Sequence, residues 1–339
     1  MSNFPAPNAN DIVTYGAADD FRDQWMTDQN RSMRTRAMPL LQECRDGIAA
    51  LDFAGINWGV QSASLADLAP TLEFSKGAGN YHAAIRDSDG AVLGVNGNRH
   101  EIIQNDALAL LGDAIIEQRP EFRYVSGGSL RGGQTTFLIL ESENTIEFGP
   151  DDKGARSMLL VNDFGGTFPL FVKDSIHRFS CSNQFQLRSV KQRLVSVRHT
   201  MQSGWQITAA RTALQAAVRS YDALDKELYR LMNTEVALHD VQEQLMGGTR
   251  PTVVHGDEDQ AKQERARNRF DRDWEKLMLE YTADWNVDHM GTAFGVVMAA
   301  QGVDEHSSRV KNGQRQAQRV GRVINGNWPL MARALQATA

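Results

Sequence analysis

Apolar and polar residues alternate in short runs through residues 52–200, and glycine-rich turns separate the runs. Residues 81–86 and 91–95 flank Asp87-Ser88-Asp89-Gly90, a sequence typical of a β-hairpin turn. A second hairpin is predicted at Gly132-Gly133, between residues 122–131 and 134–140. This spacing predicts antiparallel strands joined by tight turns.

Further strands are predicted at residues 145–148, 158–161 and 168–172, where β-favouring residues lie between glycine-containing turns. One helix interrupts them: Asn105 is predicted to cap it, and it should end at Arg119, before Pro120. We therefore expect residues 52–204 to form an α+β domain, a twisted antiparallel sheet with packed helices.

After Gly204 the apolar period changes to that of a helix. Eight residues form a heptad seam, at positions 207, 210, 214, 217, 221, 224, 228 and 231. A second apolar face over residues 270–281 predicts a partner, so the two helices should pair as a long helical hairpin. Residues 205–339 are predicted to be a C-terminal helical region with a basic tail, and residues 1–51 an N-terminal helical lead-in.

The composition is that of a folded globular protein, with 41% hydrophobic and 23% charged residues. The N-terminus lacks the basic and apolar regions of a secretory signal, and no apolar run is long enough to span a membrane. Two cysteines, Cys44 and Cys181, are too few for a disulfide framework. We expect a protein of the bacterial cytoplasm that does not contact the membrane.

Charge is segregated along the chain, although the net charge is only −6. Residues 173–211 hold seven Lys/Arg and one acid, and residues 307–339 hold six and none. The stretch between them, residues 220–306, holds 18 acids and nine bases. Local basic stretches of this kind matter more for nucleic-acid binding than the net charge does.

Signatures of enzymes are absent from the sequence. It has no phosphate-binding G-x-x-x-x-G-K-[ST] loop, no zinc-ligand spacing of His and Cys, and Ser129 does not fit the spacing of a nucleophile elbow. No cofactor, metal ligand or catalytic residue is predicted. A non-enzymatic protein is favoured, while a metal nuclease with ligands from distant positions stays open.

The basic stretch within residues 173–200 is the main candidate site. Basic residues there alternate with apolar and aromatic ones, a composition suited to phosphate contacts, with Phe179 or Phe185 as stacking partners for bases. The alternative is an ordinary core strand with a solvated basic face. The candidate nucleic-acid-binding residues here are Lys173, Arg178, Arg188, Lys191, Arg193, Arg198 and His199.

A glycine-rich segment, residues 127–133, adds Arg131 to these candidates. Paired glycines allow a ligand to approach the backbone closely, although a tight hairpin also needs them. At an exposed turn tip, Arg131 could contact phosphate, and its removal should change stability by no more than about 0.5 kcal/mol.

Several of these segments resemble the phage/plasmid-like protein family, a group of unknown function from phage and plasmid genomes. The resemblance covers about residues 50–337 and follows the same order along the chain. It rests on residues 54–60, 85–95, 104–108, 128–133, 181–183, 198–200, 292–295 and 304–306, of which 128–133 is the most specific. The resemblance brings no catalytic residues and implies a mobile-element setting.

More remotely, the combination of a sheet, a long helix and a basic face is similar to single-strand annealing proteins of the RecT and Erf type, an analogy of architecture. The leading hypothesis is a phage-type protein that binds and anneals single-stranded DNA without a nucleotide cofactor. It should self-associate into a ring or filament, with residues 307–339 contacting the acidic 220–306 region of a neighbour. A phage exonuclease or a host single-strand-binding protein would be a further partner. The alternative is an interaction factor that modulates host defence or plasmid maintenance.

Overall fold

The structure, a computed structural model, describes residues 13–14, 46–68, 80–149, 152–178, 184–185, 193–200, 203–219, 222–256, 258–306 and 328–339. Most of the predicted N-terminal lead-in lies outside these ranges, as do Phe179, Arg188 and Lys191.

The described residues form ten strands in two antiparallel sheets, which confirms the α+β class. Their bounds are β1 Val13–Thr14, β2 Val60–Ser64, β3 Tyr81–Arg86, β4 Val92–Gly97, β5 Phe122–Leu130, β6 Thr135–Gly149, β7 Asp152–Asp163, β8 Leu170–Arg178, β9 Gln184–Phe185 and β10 Val195–Val197.

The larger sheet has the order β1-β5-β6-β7-β8-β10, with β9 also paired to β8, and the smaller sheet has the order β2-β3-β4. Both predicted hairpins are present, as β3–β4 and β5–β6. The runs predicted as separate strands at 134–140 and 145–148 are one continuous strand, β6, whose register shifts between Glu141 and Thr145. An irregularity of this kind bends a strand without ending it.

Nine α-helices lie within the described part of the chain. Their bounds are α1 Gly47–Phe53, α2 Leu65–Leu68, α3 Asp106–Gln118, α4 Ser203–Arg219, α5 Asp222–Asn233, α6 Gln242–Met246, α7 Gln260–Tyr281, α8 Ala293–His306 and α9 Pro329–Ala337. None of the helices in these ranges combines the length and apolar character that crossing a membrane requires.

The helices pack in two groups around one apolar core. Helix α3 lies on β5, β6 and β7, and α4 packs against α3 and β10. In the C-terminal region, α5, α7 and α9 all pack against α8, whose residues 296–300 are buried. Helix α4 begins at Ser203, so the domain boundary predicted at 204/205 falls inside it.

The partner predicted for the heptad seam is corrected by this packing. The seam residues fall in two helices: α4 lies mainly on α3, and α5 mainly on α8, rather than on α7. Ala210 and Leu214 are buried on the α4 side. A small residue such as Ala210 lets two helices approach closely. The apolar face of the seam can therefore pack against whichever apolar helix the fold places beside it.

Asn105 does not cap α3 as predicted, although α3 begins and ends where the pattern indicates. Its side chain is buried: it donates to the Ile56 carbonyl at 2.9 Å and accepts from Thr136 Oγ1 at 2.7 Å. Asn105 therefore connects the start of α3 to β6, because a buried amide must satisfy its hydrogen bonds wherever partners lie.

The end of the chain is part of the core. Trp328, Leu330, Met331 and Ala334 are buried, and Asp304 at the end of α8 accepts the backbone N–H groups of Leu330 and Met331 at 2.9 and 3.0 Å. The predicted basic tail, residues 307–339, therefore ends in a packed helix, α9.

Candidate functional site

The turn between β5 and β6 has an unusual backbone. Three consecutive residues, Arg131, Gly132 and Gly133, have φ values of 56°, 68° and 101°. Glycine adopts such angles freely, but Arg131 is the one non-glycine residue with positive φ in the described part of the chain. A side chain held in this region is expected to have a compensating interaction.

That interaction is a buried ion pair. The Arg131 guanidinium, 8% exposed, lies 2.8 Å from Asp163 Oδ1 at the end of β7, and the Asp163 side chain is fully buried. Thr135 Oγ1 donates to the same carboxylate oxygen at 2.6 Å and also accepts from Arg131. The expectation of an exposed charge at the turn tip is therefore wrong, because the left-handed turn directs Arg131 back onto β7.

Asp163 also joins this turn to the next one. Its Oδ2 accepts the backbone N–H of Thr167 at 2.7 Å, within the β7–β8 turn. The Phe164 N–H donates to the Gln134 carbonyl at 2.8 Å. Two further segments, 98–101 and 198–200, lie at the same end of the sheet and are joined by an isolated antiparallel bridge between His100 and Thr200. We call this end of the larger sheet the turn end; it comprises residues 98–101, 131–134, 163–169 and 198–200.

Two histidines stack within the turn end. The rings of His100 and His199 are 4.8 Å apart between centroids and nearly parallel, at 10°. His199 Nδ1 lies 3.2 Å from the Glu101 carbonyl oxygen. A carbonyl only accepts, so Nδ1 carries the proton and Nε2 of His199 is left as a bare lone pair. Among the described residues, neither His100 Nε2 nor His199 Nε2 has a hydrogen-bond partner, although both atoms are buried.

Burial keeps both rings neutral. Burial, with a smaller contribution from the neighbouring His100, lowers the pKa of His199 to about 4. Burial also lowers the pKa of His100, against the opposing attraction of the Asp163 carboxylate. At neutral pH, His199 therefore brings no positive charge to this end of the sheet and cannot act as a charged phosphate contact.

Two exposed arginines lie beside this pair. Arg198 directly follows β10, the edge strand, and Arg99 directly precedes His100. Neither forms an ion pair with any other residue that the structure describes. In contrast, Arg123, Arg211 and Arg250 are each paired with a carboxylate. No carboxylate among the described residues neutralises Arg99 or Arg198, so within that part of the chain their charges are available to an anionic ligand.

The remaining predicted residues lie elsewhere. Lys173 is 2% exposed in β8, and burial lowers its pKa to about 8. The guanidinium of Arg193 packs over the Phe171 ring at 4.2 Å, and burial lowers its pKa. Arg178 ends β8, opposite Gly154 and far from the turn end. The structure thus brings Arg131, Arg198 and His199 together, but not Lys173, Arg178 or Arg193.

Three residues of the turn end were missed by sequence reasoning: Asp163, His100 and Arg99. Asp163 had a local signal, because it is a single acid after the apolar run 158–161 and before Gly165-Gly166. His100 and Arg99 had none, since a bridge to residue 200 depends on tertiary structure. In the described part of the chain, no group of three or more His, Cys, Asp or Glu side chains is arranged to hold a metal ion.

Comparison with known families adds one finding. The model of a domain of unknown function, DUF932, matches residues 92–324, more than half of the chain. The chain belongs to the DUF932 family. The DUF932 match begins at β4 and covers Arg99, the glycine turn, Asp163 and the 198–200 segment. Neither the curated proteins nor the solved structures include a match to this chain.

Proposed function

We propose that this DUF932 protein binds single-stranded DNA at the turn end and anneals complementary strands without a nucleotide cofactor. The proposal keeps the predicted setting, a phage-type recombination protein of the RecT or Erf kind in the bacterial cytoplasm. The observation that carries it is the pair of exposed arginines, Arg99 and Arg198, without carboxylate partners in the described residues. Arg198 belongs to the basic stretch 173–211, and the bridge between His100 and Thr200 brings the segment of Arg99 next to it.

The two kinds of charge at the turn end have different tasks under this proposal. Arg131 is neutralised by Asp163 and fixes the shape of the glycine turn, whereas Arg99 and Arg198 contact phosphates. Phosphate contacts position a strand without reading its sequence, so binding should be sequence-tolerant and sensitive to salt. Arg188 and Lys191, which precede β10 in the sequence, remain further candidates for the same phosphate track.

Fluorescence anisotropy with a labelled oligothymidylate, over a series of salt concentrations, tests DNA binding. Charge reversal at both arginines, Arg99→Glu with Arg198→Glu, should weaken binding at least tenfold, because each charged contact contributes about 1.5–3 kcal/mol. The salt slope should fall by about 0.7 for each lost phosphate.

Arg265→Glu with Arg269→Glu is the matched control. Both are exposed arginines of α7 without an ion-pair partner among the described residues, so their reversal changes net charge by the same amount as the double variant but should leave the affinity unchanged. Equal losses in the control and the double variant would remove the turn end from the site. A parent protein that does not bind the oligonucleotide in low salt would contradict the proposal and favour the alternative, an interaction factor.

Annealing is tested separately, with two complementary strands that carry a fluorescence-transfer pair and no ATP. The parent protein should pair the strands faster than the buffer alone, and the double variant should not. Annealing of this kind needs several bound strands in one assembly, so the proposal also includes self-association.

A further inference from the structure

The connection between α7 and α8 exposes three large apolar side chains within six residues. Trp285 is 38%, Val287 49% and Met290 44% exposed. Asp284 and Asp288 are exposed beside them, and neither forms an ion pair with another described residue. We call these five residues the ridge. Clustered exposed apolar side chains on a folded protein commonly mark an interaction surface.

The ridge is held rigidly, so its exposure is built into the fold. Asn286, between two ridge residues, is buried and donates to the carbonyls of Tyr281 and Gly295 at 3.3 and 3.0 Å. The Tyr281 hydroxyl accepts the Gly291 N–H at 2.6 Å. His289 Nε2 lies 2.7 Å from Asp152 Oδ2 on β7, and both side chains are 6% exposed.

Backbone hydrogen bonds fix the same connection from its other side. The Val236 N–H donates to the Gly291 carbonyl at 2.9 Å, and the Ala293 N–H to the Thr234 carbonyl at 2.8 Å. A connection anchored at this many points retains its shape when a partner is absent. Its apolar side chains are therefore presented in advance, which lowers the entropy that binding must overcome.

The sequence on both sides of the ridge carries charge of one sign. Residues 277–306 contain five acids and no Lys or Arg. The next segment of the chain, residues 307–327, has the opposite character, with five Lys/Arg and no acid. It also contains four large aliphatic residues, Val310, Val320, Val323 and Ile324. This segment matches the ridge in both charge and apolar content.

The ends of that segment lie far from the ridge of the same molecule. Helix α8 begins at Ala293, beside the ridge, and its 14 residues span about 21 Å before the segment starts after His306. The segment finishes at Trp328 and α9, whose first turn is bound to Asp304 at that distant end of α8. To contact the ridge of its own molecule, the segment would have to run about 21 Å along α8 and back between two anchored ends, whereas the ridge of a neighbour can approach the segment at that distant end of α8.

We propose that the ridge docks residues 307–327 of a second copy of this chain. The contact is heterologous, because each molecule offers its ridge to one neighbour and its basic segment to another. Such contacts build rings or filaments. The inference specifies the self-association included in the proposed function, and its test contains no DNA, so failure of one is distinguishable from failure of the other.

Sedimentation velocity of the full-length protein in low salt, over a range of concentrations, tests the contact. The parent should form assemblies well above the monomer mass of 37.7 kDa, and high salt should dissociate them. Asp284→Lys with Asp288→Lys should shift the protein to monomer without changing its melting temperature, because both side chains are exposed. Glu243→Lys with Glu258→Lys, exposed acids away from the ridge, is the control and should assemble like the parent.

A charge exchange identifies the occupant. Arg315→Glu with Arg319→Glu should also be monomeric alone, but mixing it with the ridge variant should restore assembly, since each reversed surface then meets a complementary one. A monomeric parent at all concentrations, or a ridge variant of unchanged mass, would overturn the proposal. So would a mixture that stays monomeric, which would point to a different protein or to the molecule's own segment as the occupant.

Discussion

At the scale of single residues, the turn end depends on how buried polar groups find partners. Arg131 and Asp163 are distant in sequence, yet each is the charge that the other needs once both are out of water. His100 and His199 are brought together in the same way, by a bridge between strands and loops. The environment of each side chain decides its charge state and therefore its chemistry.

Arg131→Ala should be strongly destabilising. It leaves the Asp163 carboxylate buried without its cation, which we expect to lower the free energy of unfolding by about 3–5 kcal/mol in urea denaturation. Arg131→Gly should lower the free energy of unfolding by about 1–2 kcal/mol less than Arg131→Ala does, because glycine relieves the strain of a positive φ.

Two comparisons make this test specific. In a protein that already carries Asp163→Asn, Arg131→Ala should destabilise the fold much less, since no buried carboxylate is then left without its cation. Arg99→Ala, at an exposed position, should stay within about 0.5 kcal/mol of the parent. An Arg131→Ala loss as small as that of Arg99→Ala would show that the ion pair does not support the fold.

His199 should make the protein sensitive to mild acid. Its pKa is lowered to about 4 in the folded state, against an ordinary value of about 6.5, so the unfolded chain binds a proton first as the pH falls. The stability is therefore complete above about pH 6.5 and is lost progressively as the pH falls towards 4, by an amount on the order of 3 kcal/mol.

Melting temperatures measured between pH 7 and pH 4 check this expectation. His199→Gln, which cannot take up a proton in this range, should flatten the curve. His255→Gln, at an exposed loop position, should leave the pH dependence as it is in the parent. A His199→Gln curve that falls as steeply as that of the parent would assign the acid sensitivity to other groups.

At the scale of elements, a glycine lets the smaller sheet approach the larger one closely. Gly94 in β4 faces the β7–β8 turn, and a Cβ built there would lie 2.7 Å from both Gly165 Cα and the Phe164 carbonyl oxygen. Asn96, two residues on, donates to the same carbonyl at 2.8 Å. The smaller sheet thus approaches the turn end by direct contact between backbones.

Gly94→Ala should force β4 and the β7–β8 turn apart. Both atoms that the new methyl group meets belong to backbone, so neither can rotate away, and we expect a loss of about 1–3 kcal/mol in the free energy of unfolding. Gly97→Ala in the same strand meets no atom within 4 Å and should be neutral or slightly stabilising. Equal urea midpoints for the two variants would contradict the close approach.

At the scale of the whole molecule, the sheet and the C-terminal helices share one core. A single cluster of buried side chains runs from Leu51 and Phe137 to Phe294 and Met331. Phe148 on β6 stacks on Phe294 of α8 with ring centroids 5.2 Å apart. Because the last helix belongs to this core, assembly must be tested by charge reversal; removing residues 307–339 would also remove buried side chains such as Trp328.

The sequence by itself determined the elements. Tyr81–Arg86 and the helix before Arg119 follow from local patterns of apolar period and turn residues, and the structure has them at nearly the predicted bounds. The antiparallel α+β class follows from the same patterns, since hairpin turns join neighbouring strands. The resemblance also placed the chain in a family of unknown function, which the DUF932 match supports.

Only the tertiary structure decided which candidate charges are free. Arg131, Lys173 and Arg198 look alike in the sequence, yet the first is ion-paired, the second buried and the third exposed. Contacts between residues far apart in the chain decide which helix packs on the heptad seam and how deeply a charged side chain is buried. A local pattern carries the preference of each segment for helix or strand, but the neighbour of each side chain is set when the segments pack.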